Sequence, residues 1–346
     1  MTQQKFIFAH AALQRIALVA LAAGLTTCAT AQTMPAAAPA TASGAAAPTQ
    51  TPPMNGIAHI AIRVQSIADS LAFYNKLGYQ QAFAWTRGDV TTQSFLKLND
   101  TQYIELYPAG PTGPPRTPAP GTAQATAPGA APAAAATPAQ PPARPPTPST
   151  SAFMHLCFEG ADLHALHDFY VAEGLTPSPV NTAAAGNLLF TMRGPQQSTS
   201  PQNIEYTQYM PGSKHTLDFG QHLSPDRVAD KMAIVVLAMQ DPAAARDYYL
   251  TKLGFTASKG NPMLLTLPGK TGQQVEIVPA AELGTNGSIV LTTPNLDKSA
   301  AQLTRQQVAF KRASSSTTDA NGRTRSVEML SVTDPDGNIL RIVQAN

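Results

Sequence analysis

The stretch HIAIRVQSIADSLAFYNKLG, from His59 to Gly78, decides how this chain folds. Its opening, His59-Ile60-Ala61-Ile62-Arg63-Val64, puts large apolar side chains at every second position, the period of a strand with one buried face. From Ser66 the period changes. Ile67, Leu71, Tyr74 and Leu77 share one face of a helix, Ser66 can cap its first turn, and Gly78 supplies the residue that leaves the last one. Three strand-like runs follow: Tyr79 to Trp85, Thr91 to Leu98 and Gln102 to Tyr107. Arg87-Gly88-Asp89 and Asn99-Asp100 provide the turns. The unit is βαβββ.

The same unit returns. HLCFEGADLHALHDFYVAEG, from His155 to Gly174, repeats His59, Phe73, Tyr74 and Gly78 at one offset of 96 residues, as His155, Phe169, Tyr170 and Gly174. One offset held across four positions marks an internal repeat. Leu188 to Met192 and Asn203 to Met210 complete this copy. A third begins at Met232-Ala233-Ile234-Val235-Val236 and continues through Tyr248-Tyr249, Leu253-Gly254-Phe255, Met263 to Leu267 and Gln274 to Val278. The fourth has a strand from Ser288 to Leu291, a helix from Asp297 to Gln307, and strands Val327 to Thr333 and Ile339 to Val343. Asp334-Pro335-Asp336-Gly337-Asn338 turns between those last two. The reading is an α+β fold of four βαβββ modules paired into two domains. The first domain spans 56–212, with modules 56–110 and 151–212 around an insertion at 111–150. A connector covers 213–227, and the second domain spans 228–346.

The remaining segments have other compositions. Residues 32–55 are Ala, Pro, Thr and Ser without periodicity and read as a disordered tether. The insertion at 111–150 holds 13 of the 31 prolines, which exclude regular strand ladders, and reads as exposed. Residues 1–31 read as an export signal. Lys5 and Arg15 precede the apolar run Ile16 to Leu25, and Ala29-Thr30-Ala31 is a small-residue cleavage site. Export to a periplasm is therefore expected. Lipoprotein processing at Cys28 is the poorer match, because Thr27 is bulkier than the usual small residue there.

Composition removes several classes. A net charge of +2 among 346 residues, with no basic stripe, gives no reason to expect nucleic acid. Two cysteines exclude a disulfide framework. No apolar run approaches the ~18–20 residues of a membrane span. P-loop, GxSxG, HExxH and GxGxxG patterns are absent. A small-molecule substrate is the expected partner, and a homodimer stays open.

Tandem βαβββ modules, with Phe-Tyr near the helix end, Leu-Gly-Tyr or Leu-Gly-Phe after it and Asp-Pro-Asp-Gly-Asn before the last strand, resemble the vicinal oxygen chelate superfamily. That superfamily contains glyoxalase I, bleomycin-resistance and extradiol dioxygenase proteins. The resemblance implies concave mixed sheets and a divalent metal ion held by the first and last strands of paired modules. Those positions here are His59 and His155 on first strands, and Glu105 and Glu205 on last strands. Ile60, Ile62 and Val64 face one way, so His59 faces the other; Leu156 and Phe158 do the same for His155. Two neutral imidazoles and two carboxylates balance the charge of one divalent ion, and such donors suit Zn, Ni, Co, Mn or Fe(II). Either glutamate could also serve as general base, the role implied by the likeness to glyoxalase I.

Arg63, Tyr103, Tyr107, Thr207 and Tyr209 share the ligands' parity and are expected to line the pocket, with Cys157 as a further pocket residue. His164 and His167 read as a solvated helix face. His215 and His222 read as surface residues of the connector, with a lid as the other option. In the second domain Lys231 is taken to stand at the position of His59, Ser288 at that of His155, Glu276 at that of Glu105 and Arg341 at that of Glu205. That half would then bind no metal, because protonated Lys and Arg cannot ligate a cation. Three functions follow: a metal-dependent lyase or isomerase acting beside a carbonyl, an extradiol-type dioxygenase using Fe(II), or a non-enzymatic binder of small molecules.

Overall fold

The computed structural model describes residues 50–109, 152–318 and 324–345. The expected export signal, most of the tether and the Pro-rich insertion lie outside them. The four repeats are present as four modules. The first is β1 (Met54–Val64), α1 (Ile67–Lys76), β2 (Gln81–Arg87), β3 (Val90–Lys97) and β4 (Tyr103–Pro108). The second is β5 (Ala152–Gly160), α2 (Leu163–Ala172), β6 (Asn181–Thr182), β7 (Leu188–Gln196) and β8 (Pro201–Gln208), followed by the short connector helix α3 (Lys214–Leu217). The third is β9 (Lys231–Met239), α4 (Pro242–Thr251), β10 (Thr256–Ser258), β11 (Asn261–Thr266) and β12 (Gln274–Pro279), then α5 (Ala280–Leu283). The fourth is β13 (Ser288–Thr293), α6 (Leu296–Arg305), β14 (Phe310–Thr318), β15 (Thr324–Thr333) and β16 (Ile339–Gln344).

Each pair of modules makes one eight-stranded mixed sheet. The orders are β2-β3-β4-β1-β5-β8-β7-β6 and β10-β11-β12-β9-β13-β16-β15-β14. The first strands of paired modules run antiparallel side by side in the middle, and each pairs in parallel with the last strand of its own module. The two strands that start a module and the two that end it are therefore four neighbours.

The helices form where the periodicity places them, each started by a side chain. Ser66, Asp162, Asp241 and Asn295 accept from backbone N–H groups of the first turns of α1, α2, α4 and α6. Gly78, Gly174 and Gly254 leave the first three helices with φ near +80°. The fourth module has no glycine there, and Gln307 takes the left-handed conformation instead.

One apolar core runs from sheet to sheet. It takes Ile60, Ile62, Ile104, Leu106, Leu156, Phe158, Ile204 and Tyr206 from the first, and Met232, Val235, Leu237, Ile277, Ile289, Leu291, Leu340 and Ile342 from the second. Buried polar contacts cross the boundary too. Gln102 donates to the carbonyls of Ile57 and Met232 and accepts from the Met232 N–H. The Tyr74 hydroxyl donates to Asp334 at 3.0 Å, and Asp336 accepts from the Gln65 N–H at 2.8 Å, so the Asp-Pro-Asp-Gly-Asn turn of the second domain braces α1 of the first.

The register corrects one alignment. Glu276 pairs with Val236 as Glu105 pairs with Ala61, and Ser288 pairs with Val236 as His155 does with Ala61. Ile234, which pairs with Val290, therefore stands where His59 stands, while the exposed Lys231 lies three residues earlier, opposite Thr292. Lys231 opens a longer strand than the apolar run alone suggests. Ser288, Glu276 and Arg341 do occupy the equivalents of His155, Glu105 and Glu205.

Candidate metal centre

The central strands of the first sheet, β4-β1-β5-β8, each bring one ligand-type residue to the face opposite the core. Ala61 pairs with Glu105 on one side and His155 on the other; Cys157 pairs with His59 and Glu205. Paired residues share a face, so these six form a checkerboard in which two small residues alternate with four large polar ones. Ala61 and Cys157 leave the space in which the polar ends meet.

They meet closely. The Nε2 atoms of His59 and His155 are 3.1 Å apart. Glu105 Oε2 lies 3.1 Å from the first and 3.3 Å from the second. Glu205 lies 3.5 Å from His59 Nε2 through Oε1 and 3.8 Å from His155 Nε2 through Oε2. His59, Glu105 and His155 are 4%, 3% and 6% exposed. Two atoms bound to one ion at ~2.0–2.2 Å would lie about 3.0 Å apart at right angles and about 3.4 Å apart at tetrahedral angles. The separations among His59, His155 and Glu105 have these lengths, and those of Glu205 are longer. Two neutral imidazole nitrogens turned toward each other also require a cation or a proton between them. A divalent ion fits the donor set, and the group His59, Glu105 and His155 satisfies it by proximity alone.

The surroundings fix Glu105 more firmly than Glu205. Gln93, on β3, donates to Glu105 Oε1, and so does the Tyr107 hydroxyl, at 2.9 Å. Gln93 also reaches the Tyr107 oxygen at 2.8 Å. Oε1 is thereby anchored, and Oε2, buried and without a hydrogen bond, is left facing both imidazoles. Burial alone would raise the Glu105 pKa, but His59 and His155 hold it well below the usual carboxylate range. Burial alone would lower that of His59, yet Glu105 and Glu205 leave it raised. Burial and the Glu105 charge push the Tyr107 hydroxyl up, so it stays a donor. Glu205 is half-buried and edges the cavity.

That cavity, about 220 Å³, opens over the cluster. Its floor is His59, Glu105 and Glu205. Its walls are Trp85, Gln93, Phe95 and Tyr107 on one side, Ala183 to Ala185, Asn187 and Leu189 on another, and His215.

Of the six expected pocket residues, Tyr107 lines it. Tyr103 and Tyr209 lie behind the wall, packed on the His215 ring at 5.0 and 4.5 Å. Thr207 is buried, accepts from the pocket residue Asn187 and donates to the Leu188 carbonyl. Cys157 is buried under His59 and Glu205, and burial with the Glu205 charge raises its pKa, keeping it a thiol. Arg63 is half-buried, opposite Tyr107 in register, and outside the cavity wall. Parity assigned the correct face but not the distance along it.

Sequence reasoning did not pick out Trp85, Gln93, Phe95, Asn187 or Leu189, and it read His215 as a surface residue with a lid only as the other option. Phe95 pairs with Glu105, so carrying the parity argument one strand further finds Phe95 and Gln93. No local pattern reveals His215. It is 3% exposed rather than a surface residue, and its ring is enclosed by Phe83, Phe95, Tyr103 and Tyr209. Burial, with His59 nearby, lowers its pKa to about 3. His222 is partly exposed and contacts Asp218 at 2.5 Å.

Comparison with known proteins agrees with this architecture. The sequence profile of the Glyoxalase/Bleomycin resistance protein/Dioxygenase superfamily matches residues 56–198 and 231–342. The chain belongs to this superfamily. Among solved structures, the Mn(II)-bound glyoxalase from Novosphingobium aromaticivorans superposes with a TM-score of 0.54 at 11% identity, over 84% of this chain and 82% of that one. A 2,3-dioxygenase from Pseudomonas sp. KL28 gives 0.54 at 13%, over 86% and 94%. The homoprotocatechuate 2,3-dioxygenase from Arthrobacter globiformis gives 0.51 at 14%, over 87% and 83%. At such identities the likeness is one of fold. No curated protein matches the chain significantly in sequence.

Proposed function

We propose that this superfamily member is an exported, metal-dependent lyase or isomerase acting on a small molecule that chelates through adjacent oxygens. The observation that carries the reading is the convergence of His59, His155, Glu105 and Glu205 at the base of one cavity. A divalent ion held there supplies Lewis acidity toward a carbonyl or enediolate oxygen. The Mn(II) of the Novosphingobium glyoxalase makes manganese one candidate beside Zn, Ni, Co and Fe(II).

The two glutamates divide the work. Glu105 is immobilised by Gln93 and Tyr107 and serves as a fixed ligand. Glu205 is farther from the imidazoles and borders the cavity, so its carboxylate is placed to take a proton from carbon beside a carbonyl and return it. A cavity of about 150 Å³ accommodates benzene, so one of about 220 Å³ suits a substrate of single-ring size or smaller.

An extradiol-type dioxygenase is the second reading. It is favoured by the compactness of His59, His155 and Glu105, a two-histidine, one-carboxylate set of the kind that serves Fe(II) oxygen chemistry. A fourth ligand-type residue favours the first reading, because Glu205 would compete with oxygen for a metal held there.

Metal analysis of the chain purified without chelator decides between these. One equivalent of redox-inert metal, lost in the His59→Ala/His155→Ala double variant and retained in Glu205→Gln, supports the lyase or isomerase. Iron with oxygen uptake on a catechol supports the dioxygenase. Neither chain taking up metal would leave a binding protein. Export rests on Lys5, Arg15 and the apolar run Ile16 to Leu25, and fractionation of the producing cells that found the chain in the cytoplasm alone would overturn it.

A further inference from the structure

His215 belongs to neither module of its domain. It sits on α3 in the connector, yet reaches the cavity whose floor holds the His/Glu cluster. Both ring nitrogens are buried without a hydrogen-bond partner. A buried polar atom left unpaired costs stability unless a ligand pairs it, and an imidazole offers one donor and one acceptor when neutral.

The ring is held in place. Tyr209 stacks on it at 4.5 Å with planes 17° apart, and Phe83, Phe95 and Tyr103 meet it edge to face at 5.0, 5.6 and 5.0 Å. The backbone beneath is tied on both sides. The Lys214 N–H donates to the Ala185 carbonyl in the cavity wall at 2.8 Å. The fully buried Lys97 ammonium, on β3, binds the Asp218 carboxylate at 2.8 Å and donates to the Asp218 carbonyl. A connector clamped this firmly, presenting an imidazole with free nitrogens, is built to touch something in the cavity.

We propose that His215 is a ligand-binding residue whose free ring nitrogen hydrogen-bonds a hydroxyl or carbonyl of a small planar molecule bound over the His59, His155, Glu105 and Glu205 cluster. This rests on the metal reading of that cluster and adds to it the residue that recognises the ligand. The class it selects is a single-ring or smaller molecule with a polar group beyond the two chelating oxygens, its flat body against Trp85 and Phe95.

The test uses the full chain loaded with zinc and 4-nitrocatechol as probe, with absorbance giving Kd and ¹⁵N shifts of the ring nitrogens giving the hydrogen bond. His215→Phe keeps the aromatic packing and removes both nitrogens; His215→Gln keeps a donor. Expected is zinc at one equivalent throughout, a Kd about ten- to a hundredfold higher in His215→Phe, partial recovery in His215→Gln, and a shift of one His215 nitrogen on saturation. An unchanged Kd in His215→Phe, or ring nitrogens that do not move, overturns the proposal. So does loss of zinc in both variants, which would make His215 part of the frame, and so does a zinc-loaded parent that ignores the probe. A parent chain that takes up no zinc defeats the metal reading instead, and the ring shifts in zinc-free protein then test His215 by itself.

Discussion

The two sheets share one topology, and the faces they turn away from the core differ at three of four equivalent polar positions, glutamate alone being kept. The first holds His59, His155, Glu105 and Glu205 around Ala61 and Cys157. Position for position, the second holds Ile234, Ser288, Glu276 and Arg341 around Val236 and Val290. Ile234 and Val290 there form an apolar cluster with Leu264, Met329 and Val343. One face buries converging donors, and the other buries packed hydrocarbon beside Glu276 and Ser288. The scaffold is therefore indifferent to what the face carries. Val236 and Val290 stand where Ala61 and Cys157 leave the space in which the polar ends of the first sheet meet.

The largest expected effect breaks the checkerboard without touching a ligand. Ala61→Leu should fill the space between Glu105 and His155 and reduce bound metal from one equivalent to near zero. Overpacking should cost about 1–3 kcal/mol, measured by urea unfolding of the chelator-treated chain. Val236→Leu, at the equivalent position of the second sheet, should leave metal content unaltered.

The reciprocal change comes next. Ile234→Ala should cost about 2–4 kcal/mol, because it opens a hole in the cluster of Leu264, Val290, Met329 and Val343, and should not alter metal content. A change in bound metal would mean that the two faces are coupled.

His215 gives a pH test of the first domain. Its folded pKa is lowered to about 3 from the usual 6.5, so between those values the unfolded chain carries a proton that the folded chain refuses. Stability should be intact above pH 6.5 and fall as pH drops toward 3. His215 would contribute up to about 1.4 kcal/mol per pH unit. In His215→Phe, unfolding curves across that window should lose this slope, and a slope equal to the parent's would contradict the burial seen here.

The smallest effect lies at a helix end. Gln307 holds φ +54° where the other three modules use glycine. Gln307→Gly should stabilise the second domain by about 1 kcal/mol, while Gly174→Ala should cost the first a similar amount. Thermal melting of both variants checks the pair.

Much of this was legible in the sequence, because the signals were local. Strand and helix periods, the cap at Ser66 and the glycines at 78 and 174 act within a few residues of themselves. The offset of 96 then reported the duplication. The resemblance named His59, Glu105, His155 and Glu205, and alternation turned the two histidines away from the apolar face, since it is a property of any strand. The third module's alignment failed at Lys231 because β9 begins before its apolar run, and only pairing with β12 and β13 sets the register. The pocket failed in the same way: parity cannot say that Tyr103 and Tyr209 back the wall while Tyr107 lines it.

Side-chain periods and the repeat were enough to set the four modules, their pairing and the shared facing of His59 and His155, since these signals are local. Tertiary structure supplied the rest. It brought four ligand-type side chains from four strands together, with both glutamates within 3.8 Å of both imidazoles, divided the glutamates into one anchored by Gln93 and one half-buried at the cavity, and carried His215 from a connector into that cavity. Each depends on segments far apart in the chain, held by a shared core and by the buried Lys97–Asp218 pair. No local pattern encodes where those segments meet.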